Sequence, residues 1–121
     1  MANITGIDHV QLAMPVGAEP QARDFYAGVL GLPEIVKPAH LAVRGGVWFQ
    51  CGAAQLHLGA DSSFQAAKKA HPALVVDGLA EFVSALAGRG VEVKLEEAVG
   101  PMDRVTIFDP FGNRIELIGL R

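Results

Sequence analysis

The first half of the chain alternates apolar and polar residues, as a strand with two different faces does. Over residues 7–14 one face carries His9 and Gln11, and the opposite face is apolar. Apolar residues then recur at helical spacing over 22–30, and Gly31 ends this predicted helix. Glycine-containing spacers separate three further strands, which are predicted at residues 41–44, 47–51 and 55–58. Spacers this short predict antiparallel hairpins.

The same order of elements returns after a polar stretch at residues 60–69, which we interpret as a linker. An apolar strand is predicted at 72–76, followed by a helix capped by Asp77. The last three strands are predicted at residues 92–99, 104–108 and 114–118. Two repeats, residues 4–59 and 70–120, therefore make up one domain spanning 1–121. The alternation predicts an α+β fold of two βαβββ modules with mostly antiparallel pairing, about 8 strands and 2 helices in all.

Composition narrows the class of protein. Half of the 121 residues are hydrophobic and 19% are charged, yet no apolar stretch approaches the roughly 20 residues of a membrane span. The net charge is −3 and the basic residues are scattered, so a nucleic-acid partner is not expected. The N-terminus lacks the pattern of a signal peptide, and Cys51 has no partner for a disulfide. We predict a cytoplasmic protein without membrane or nucleic-acid partners.

Four side chains that can bind a metal occupy matching positions in the two repeats. His9 and His57 lie in the first and last strands of one repeat, and His71 and Glu116 are placed likewise in the other. Each histidine alone is explained as well by a structural hydrogen bond, and only the repetition favours a shared ion. Imidazoles and one carboxylate suit a divalent transition metal and leave positions for water or substrate. The sequence predicts metal at His9, His71 and Glu116, with His57 as a fourth ligand.

A bound cation would also offset the cost of burying the Glu116 carboxylate. Trp48, with Gln50, is placed to line a substrate pocket beside Gln11, although an aromatic residue in a strand is often simply core. We predict substrate binding by Gln11 and Trp48. Arg114 shares the strand face of Glu116 and is interpreted as a rim charge.

Two further residues have structural interpretations. Cys51 has no acid–base partner in the sequence and is interpreted as an inert, buried thiol. His40 has no counterpart in the second repeat and is interpreted as exposed or structural.

The sequence resembles the vicinal oxygen chelate superfamily, which includes glyoxalase I, extradiol dioxygenases and bleomycin-resistance proteins. The resemblance covers nearly the whole chain, in three motifs: Asp8-His9-Val10 with the following Phe25-Tyr26 and Val29-Leu30-Gly31-Leu32, the run His71 to Asp77, and the run Asp109 to Leu117. It implies paired βαβββ modules that form a curved cup around a divalent ion, which can be Zn, Ni, Co, Mn or Fe(II). It also implies a homodimer, with cups completed by modules of the same or the partner chain.

In this resemblance His9, His71 and Glu116 match the shared metal ligands. Position 57 corresponds to a carboxylate in the bacterial glyoxalase I pattern and to an amide in the epimerase pattern, so His57 is a departure. The implied function is Lewis-acid and proton-transfer chemistry on a small oxygenated molecule, of lyase or isomerase type, with Glu116 as the catalytic residue. The alternatives are an extradiol-type Fe(II) dioxygenase and a ligand-sequestering protein without catalysis.

Overall fold

The computed structural model describes residues 1–121 and divides into two compact units. Unit 1 is Met1–Gln65 and unit 2 is Ala66–Arg121. Each unit holds one four-stranded mixed sheet and few helices. The predicted α+β class and the two βαβββ modules are confirmed. No helix in the structure combines the length and the apolar character needed to cross a membrane.

Unit 1 builds its sheet from the first and last strands of the module, which lie side by side. The sheet order is β1-β4-β3-β2, with β1 parallel to β4 and the remaining pairs antiparallel. The elements are β1 (His9–Met14), α1 (Glu19–Ala22) running into a π-helix (Arg23–Val29), β2 (Glu34–Ile35), α2 (Ala39–Ala42), β3 (Val47–Cys51) and β4 (Ala54–Ala60). The parallel pairing places Gln11 opposite His57.

One predicted strand of unit 1 is wrong. Residues 41–44 form the end of α2 and a turn, and the second strand of the module is β2 instead. Pro38 has an extended backbone that starts the helical turn, since its carbonyl accepts from the N–H groups of Leu41 and Ala42 at 2.9 and 3.1 Å. A helical turn therefore begins directly after Pro38, and the weak apolar alternation of 41–44 does not outweigh it.

The core of unit 1 lies on the apolar face of its sheet. The residues with almost no exposed surface there are Met14, Tyr26, Phe49, Leu56 and Leu58. The Tyr26 ring lies 5.5 Å from the Phe49 ring, so the π-helix packs on β3. Strand alternation then leaves His9, Gln11, Trp48 and His57 on the opposite face.

Unit 2 repeats this arrangement. Its sheet order is β5-β8-β7-β6, with β5 parallel to β8. The elements are β5 (Ala73–Val75), α3 (Leu79–Gly88), β6 (Lys94–Val99), β7 (Met102–Phe108) and β8 (Arg114–Leu120). The core is formed by Leu86, Val105, Ile107, Ile115 and Leu117.

The predicted cap of α3 is wrong. Gly78, not Asp77, occupies the N-cap, and no side chain caps the helix. The backbone at this position is left-handed, with a φ of 75°, a conformation that glycine adopts without the steric cost of a side chain. The helix packs closely on β8, because a Cβ added at Gly119 would lie 2.7 Å from the Cβ of Leu79.

Candidate functional site

The second pair of predicted ligands is brought together by the parallel strands β5 and β8. The Glu116 N–H donates to the Pro72 carbonyl at 3.0 Å, which sets the neighbouring His71 beside the Glu116 side chain. His71 Nε2 lies 3.2 Å from Glu116 Oε2. Glu116 is buried, whereas 26% of the His71 side chain is exposed. The pair therefore has one face open to a ligand.

His71 lies between two hydrogen-bond acceptors. Its Nδ1 is 2.7 Å from the Lys69 carbonyl oxygen, and its Nε2 faces the Glu116 carboxylate. A carbonyl oxygen only accepts, so Nδ1 donates to it and Nε2 is the nitrogen directed at the Glu116 carboxylate. Two facing lone pairs repel unless a proton or a metal cation joins them. A carbonyl that orients the second nitrogen is also the usual partner of a metal-ligating histidine.

The Glu116 carboxylate already has a cationic partner within unit 2. Arg104 Nη1 donates to Glu116 Oε1 at 2.7 Å. Burial alone would raise the pKa of Glu116, but the hydrogen bonds from Arg104 and His71 outweigh it and hold the pKa below its usual value. The burial of Glu116 therefore does not by itself require a bound cation. Arg104 offsets it and leaves Oε2 directed at His71.

Arg104, and not Arg114, is the arginine that contacts Glu116. Arg114 forms no bond to it, and its Nε is buried without a hydrogen-bond partner. The prediction from sequence missed Arg104, although the alternation of β7 carries a signal for it. Arg104 and Thr106 alternate with buried Val105 and Ile107, and Thr106 lies directly opposite Glu116. Strand parity alone places Arg104 on the face of Glu116.

The first pair of predicted ligands belongs to a stack of three rings in unit 1. The rings of His9 and His57 are 4.3 Å apart at 12°, and the rings of His57 and Trp48 are 4.2 Å apart at 6°. The pKa of His57 is lowered, first by burial and then by the nearby His9 and Lys37. This lowering favours the neutral imidazole, which is the form that a metal ligand requires.

Each histidine of this stack has one nitrogen engaged and one without a partner. His9 Nδ1 lies 2.9 Å from Asp8 Oδ2, and His57 Nε2 lies 2.9 Å from Gln55 Oε1. If those nitrogens donate, the lone pairs remain on Nε2 of His9 and Nδ1 of His57. A carboxylate on the far nitrogen of an imidazole is a common orienting contact behind a metal ligand.

The predicted substrate residues Gln11 and Trp48 both line a cavity of about 270 Å³ in unit 1. Gln50 does not line it, because its amide donates to the carbonyl oxygens of Gly52 and Ala54 at 2.8 and 3.1 Å. Lys37 and Arg44 contribute two cations to the lining, and the prediction from sequence missed both. Arg44 lies in the segment wrongly predicted as a strand, and Lys37 lies where no element was predicted. Strand or helix periodicity therefore gave no direction for either side chain.

The structure thus assembles each predicted pair of ligands inside its own unit. Neither unit by itself gathers three or more histidine, cysteine, aspartate or glutamate side chains around one point. Cys51 stands apart from both pairs, and partial burial raises the pKa of its thiol.

Comparison with known proteins agrees with this fold. The model of the Glyoxalase/Bleomycin resistance protein/Dioxygenase superfamily matches residues 6–117. The chain belongs to this superfamily. A structure from Bacillus anthracis that is assigned to the glyoxalase family shares 45% identity with it, covers 100% of this chain and 99% of that one, and superposes with a TM-score of 0.97.

More distant members show the same fold with different activities in their names. Lactoylglutathione lyase from Agrobacterium tumefaciens is 20% identical, with 97% of this chain and 95% of that chain covered and a TM-score of 0.76. The fosfomycin resistance protein FosX from Listeria monocytogenes is 18% identical, with coverages of 98% and 96% and a TM-score of 0.77. At this identity the likeness shows the superfamily fold alone. No curated protein matches the chain.

Proposed function

We propose that this chain is a divalent-metal-dependent enzyme of the glyoxalase superfamily, of lyase or isomerase type, that acts on a small oxygenated molecule. The proposed ligands are His9, His57, His71 and Glu116. The observation that carries the proposal is the position of His71, whose two nitrogens face a carbonyl oxygen and a carboxylate. A cation bound at Nε2 would take the place of the proton through which His71 otherwise donates to Glu116.

The spacing of the unit 2 pair fits two ligands of one ion. Zinc binds histidine nitrogen and carboxylate oxygen at about 2.0–2.2 Å, so two such donors at octahedral or tetrahedral angles lie roughly 2.8–3.6 Å apart. The observed separation of His71 Nε2 from Glu116 Oε2 is 3.2 Å. The bond from Arg104 to Oε1 leaves Oε2 for this role. The nitrogen and oxygen donors suit Zn, Ni, Co, Mn or Fe(II).

When held by these ligands, such an ion would supply Lewis-acid chemistry at a substrate carbonyl, which would make the neighbouring C–H group more acidic. In this proposal the Glu116 carboxylate receives that proton and returns it to the adjacent carbon. The hydrogen bond from Arg104 keeps Glu116 ionised and therefore able to accept a proton, at the cost of making it a weak base. Glu116 suits a substrate whose C–H group is strongly acidified.

Metal content tests the proposed ligands. The protein is purified without chelator, and metals are measured by mass spectrometry for wild type, His71→Ala and the control His40→Ala, whose histidine is exposed in α2. We expect stoichiometric Zn, Ni, Co or Mn in wild type and in the control, and loss in His71→Ala. Wild-type protein without any metal would favour the ligand-sequestering alternative.

Solvent exchange tests the chemistry. Small hydroxycarbonyl compounds are incubated with the metal-loaded protein in deuterated water, and incorporation of deuterium is followed by NMR. We expect exchange in wild type, none in Glu116→Gln after metal is added back, and full exchange in the exposed control Glu92→Gln. Predominant iron with oxygen-dependent consumption of a catechol would instead establish the dioxygenase alternative.

A further inference from the structure

The cavity of unit 1 is lined by two cations and by no carboxylate. Its volume is about 270 Å³, just below the roughly 300 Å³ at which pockets for drug-sized ligands begin. The lining residues are Gln11, Lys37, Leu41, Arg44, Gly45, Trp48, Leu58, Gly59 and Ala60. A small cavity whose lining carries positive charge and no carboxylate suits a small anion.

A second cavity in the same unit provides the contrast. It is larger, about 520 Å³, and it also contains Lys37 together with Arg23. Glu19 and Glu34 line it too, and Arg23 Nε donates to Glu34 Oε1 at 2.9 Å. Its positive charges are balanced by its own carboxylates. Of the two cavities, only the smaller one has no carboxylate in its lining.

Lys37 is held in place by the protein while keeping donors for a ligand. The half-buried ammonium donates to the Gly45 carbonyl oxygen and lies 5.7 Å from the centre of the Trp48 ring. A lysine ammonium has three donors, so two remain. The carbonyl and the indole fix the position of the charge, and no carboxylate forms an ion pair with it, although the pKa of Glu19 is lowered in part by this ammonium.

Arg44 is the second cation of the cavity and forms no ion pair in the structure. It lies in the turn after α2, where its N–H donates to the Leu41 carbonyl at 3.1 Å. The turn is held against β4 at Gly46, where an added Cβ would meet the Leu58 carbonyl oxygen at 2.6 Å. The backbone that carries Arg44 is therefore fixed relative to the cavity.

Gln11 supplies an uncharged donor. Its side chain lies across Gly59, where an added Cβ would be 2.6 Å from the amide nitrogen, and no protein group accepts from this amide. Gln11 and Trp48 are also the two residues paired with His57 in the sheet. The cavity therefore adjoins the ring stack that holds the two proposed ligands of unit 1.

We propose that this cavity binds the anionic group of a small organic acid, a carboxylate, phosphate or phosphonate, through Lys37, Arg44 and the Gln11 amide. Binding itself is independent of the proposed function, and only the claim that the bound acid is the substrate rests on it. An acid anchored here has the rest of its skeleton beside Trp48 and His57. The substrate class is then a small oxygenated acid, not a neutral carbonyl compound.

Binding in the cavity can be followed by tryptophan fluorescence, because Trp48 lines the cavity and is the single tryptophan of the chain. Methylphosphonate and acetate are titrated into the intact protein, and Trp48 emission is recorded. Dimethyl methylphosphonate and methyl acetate serve as uncharged probes of similar shape. We expect both anions, and neither ester, to change the emission to saturation, and we expect added chloride to weaken the effect.

Two substitutions test the cations. Lys37→Met and Arg44→Gln should each weaken anion binding about tenfold, as the loss of a charged hydrogen bond predicts. The matched controls are Lys68→Met, which is exposed in unit 2, and Arg23→Gln, whose residue lines the balanced cavity. Both controls should bind as wild type does. Circular dichroism checks the fold of Lys37→Met, and exposed Arg44 provides a variant that does not remove a buried contact.

Equal binding of the esters, or unchanged binding in both cation variants, overturns the proposal. The titration is repeated after metal removal by chelation and dialysis, with metal content measured on the same sample. Anion binding that persists without metal supports the proposal that the cavity residues, and not a metal ion, bind the anion. If the protein holds metal but binds neither anion, the proposal of an anion site is overturned and the proposed function is unaffected.

Discussion

Arg104 donates to Glu116 across two adjacent strands of unit 2, with Nη1 at 2.7 Å from Oε1. Only 8% of the Glu116 side chain is exposed, against 26% of Arg104. The guanidinium thus reaches a buried carboxylate from the solvent side. The same contact offsets the negative charge of Glu116 and leaves Oε2 as the oxygen that faces His71.

Arg104→Met should destabilise the metal-free protein by about 1–3 kcal/mol, because it leaves a buried carboxylate without its charged donor. The measurement is urea unfolding monitored by circular dichroism. The double variant Arg104→Met/Glu116→Gln should recover part of the loss, since the unpaired charge is then absent. Arg121→Met breaks an exposed pair with Asp103 and should cost less than about 1 kcal/mol. Equal losses in the two arginine variants would show that Arg104 has no special role.

The elements with strong periodicity could be predicted from the sequence, and those that depend on single backbone positions could not. Strand β3 was predicted with its observed ends, because alternation of buried Val47 and Phe49 with Trp48 sets its faces. The strand at 41–44 was predicted wrongly because Pro38 starts a helix just before it. The cap of α3 depends on the left-handed backbone of Gly78, which apolar periodicity does not report.

The candidate site, like the fold, could be predicted from the sequence only in part. The sequence predicted Trp48 beside Gln11, and in the structure both residues line the same cavity. The roles of His9, His57, His71 and Glu116 as ligands, like the homodimer, remain predictions. Lys37 and Arg44 could not be found from periodicity, because a turn and a short helix give their side chains no repeating direction. Arg104 could have been found, because it shares the strand face of Thr106, the residue paired with Glu116.

The stability of unit 1 should depend on pH through Glu19. The hydrogen bond from the Gly46 N–H is the main cause that lowers the pKa of this carboxyl below its ordinary value of 4.5. A depressed pKa contributes stability above the unfolded value, and this contribution is lost as the pH falls through the folded pKa. Urea midpoints measured from neutrality down into that acid range should fall more steeply in wild type than in Glu19→Gln. Glu92→Gln, at an exposed site, should retain the wild-type slope.

Two glycines of unit 1 should respond differently to alanine although both have contacts of 2.6 Å. At Gly46 the new Cβ meets a backbone oxygen, and its φ is 91°, so Gly46→Ala should cost about 1–3 kcal/mol in urea unfolding. At Gly59 the Cβ meets only the end of the Gln11 side chain, which can move. Gly59→Ala should therefore fold with nearly wild-type stability. A large loss in Gly59→Ala would mean that Gln11 is held more firmly than its contacts indicate.

His57→Phe separates the ring stack from metal binding. Phenylalanine keeps a flat ring between His9 and Trp48, whereas alanine would leave a void at a position that is only 4% exposed. We expect the free energy of unfolding of metal-free His57→Phe to lie within about 1.5 kcal/mol of wild type, as for other shape-conserving replacements.

If His57 is the fourth ligand, the affinity of His57→Phe for cobalt should fall at least about tenfold, a loss of about 1.4 kcal/mol, as followed by visible absorption. Trp48→Phe keeps both imidazoles and provides the control, with unchanged affinity expected. Unchanged affinity in His57→Phe would leave His9, His71 and Glu116 as the ligand set. Two histidines and one carboxylate form the set suited to Fe(II) and oxygen, so that outcome would favour the dioxygenase alternative.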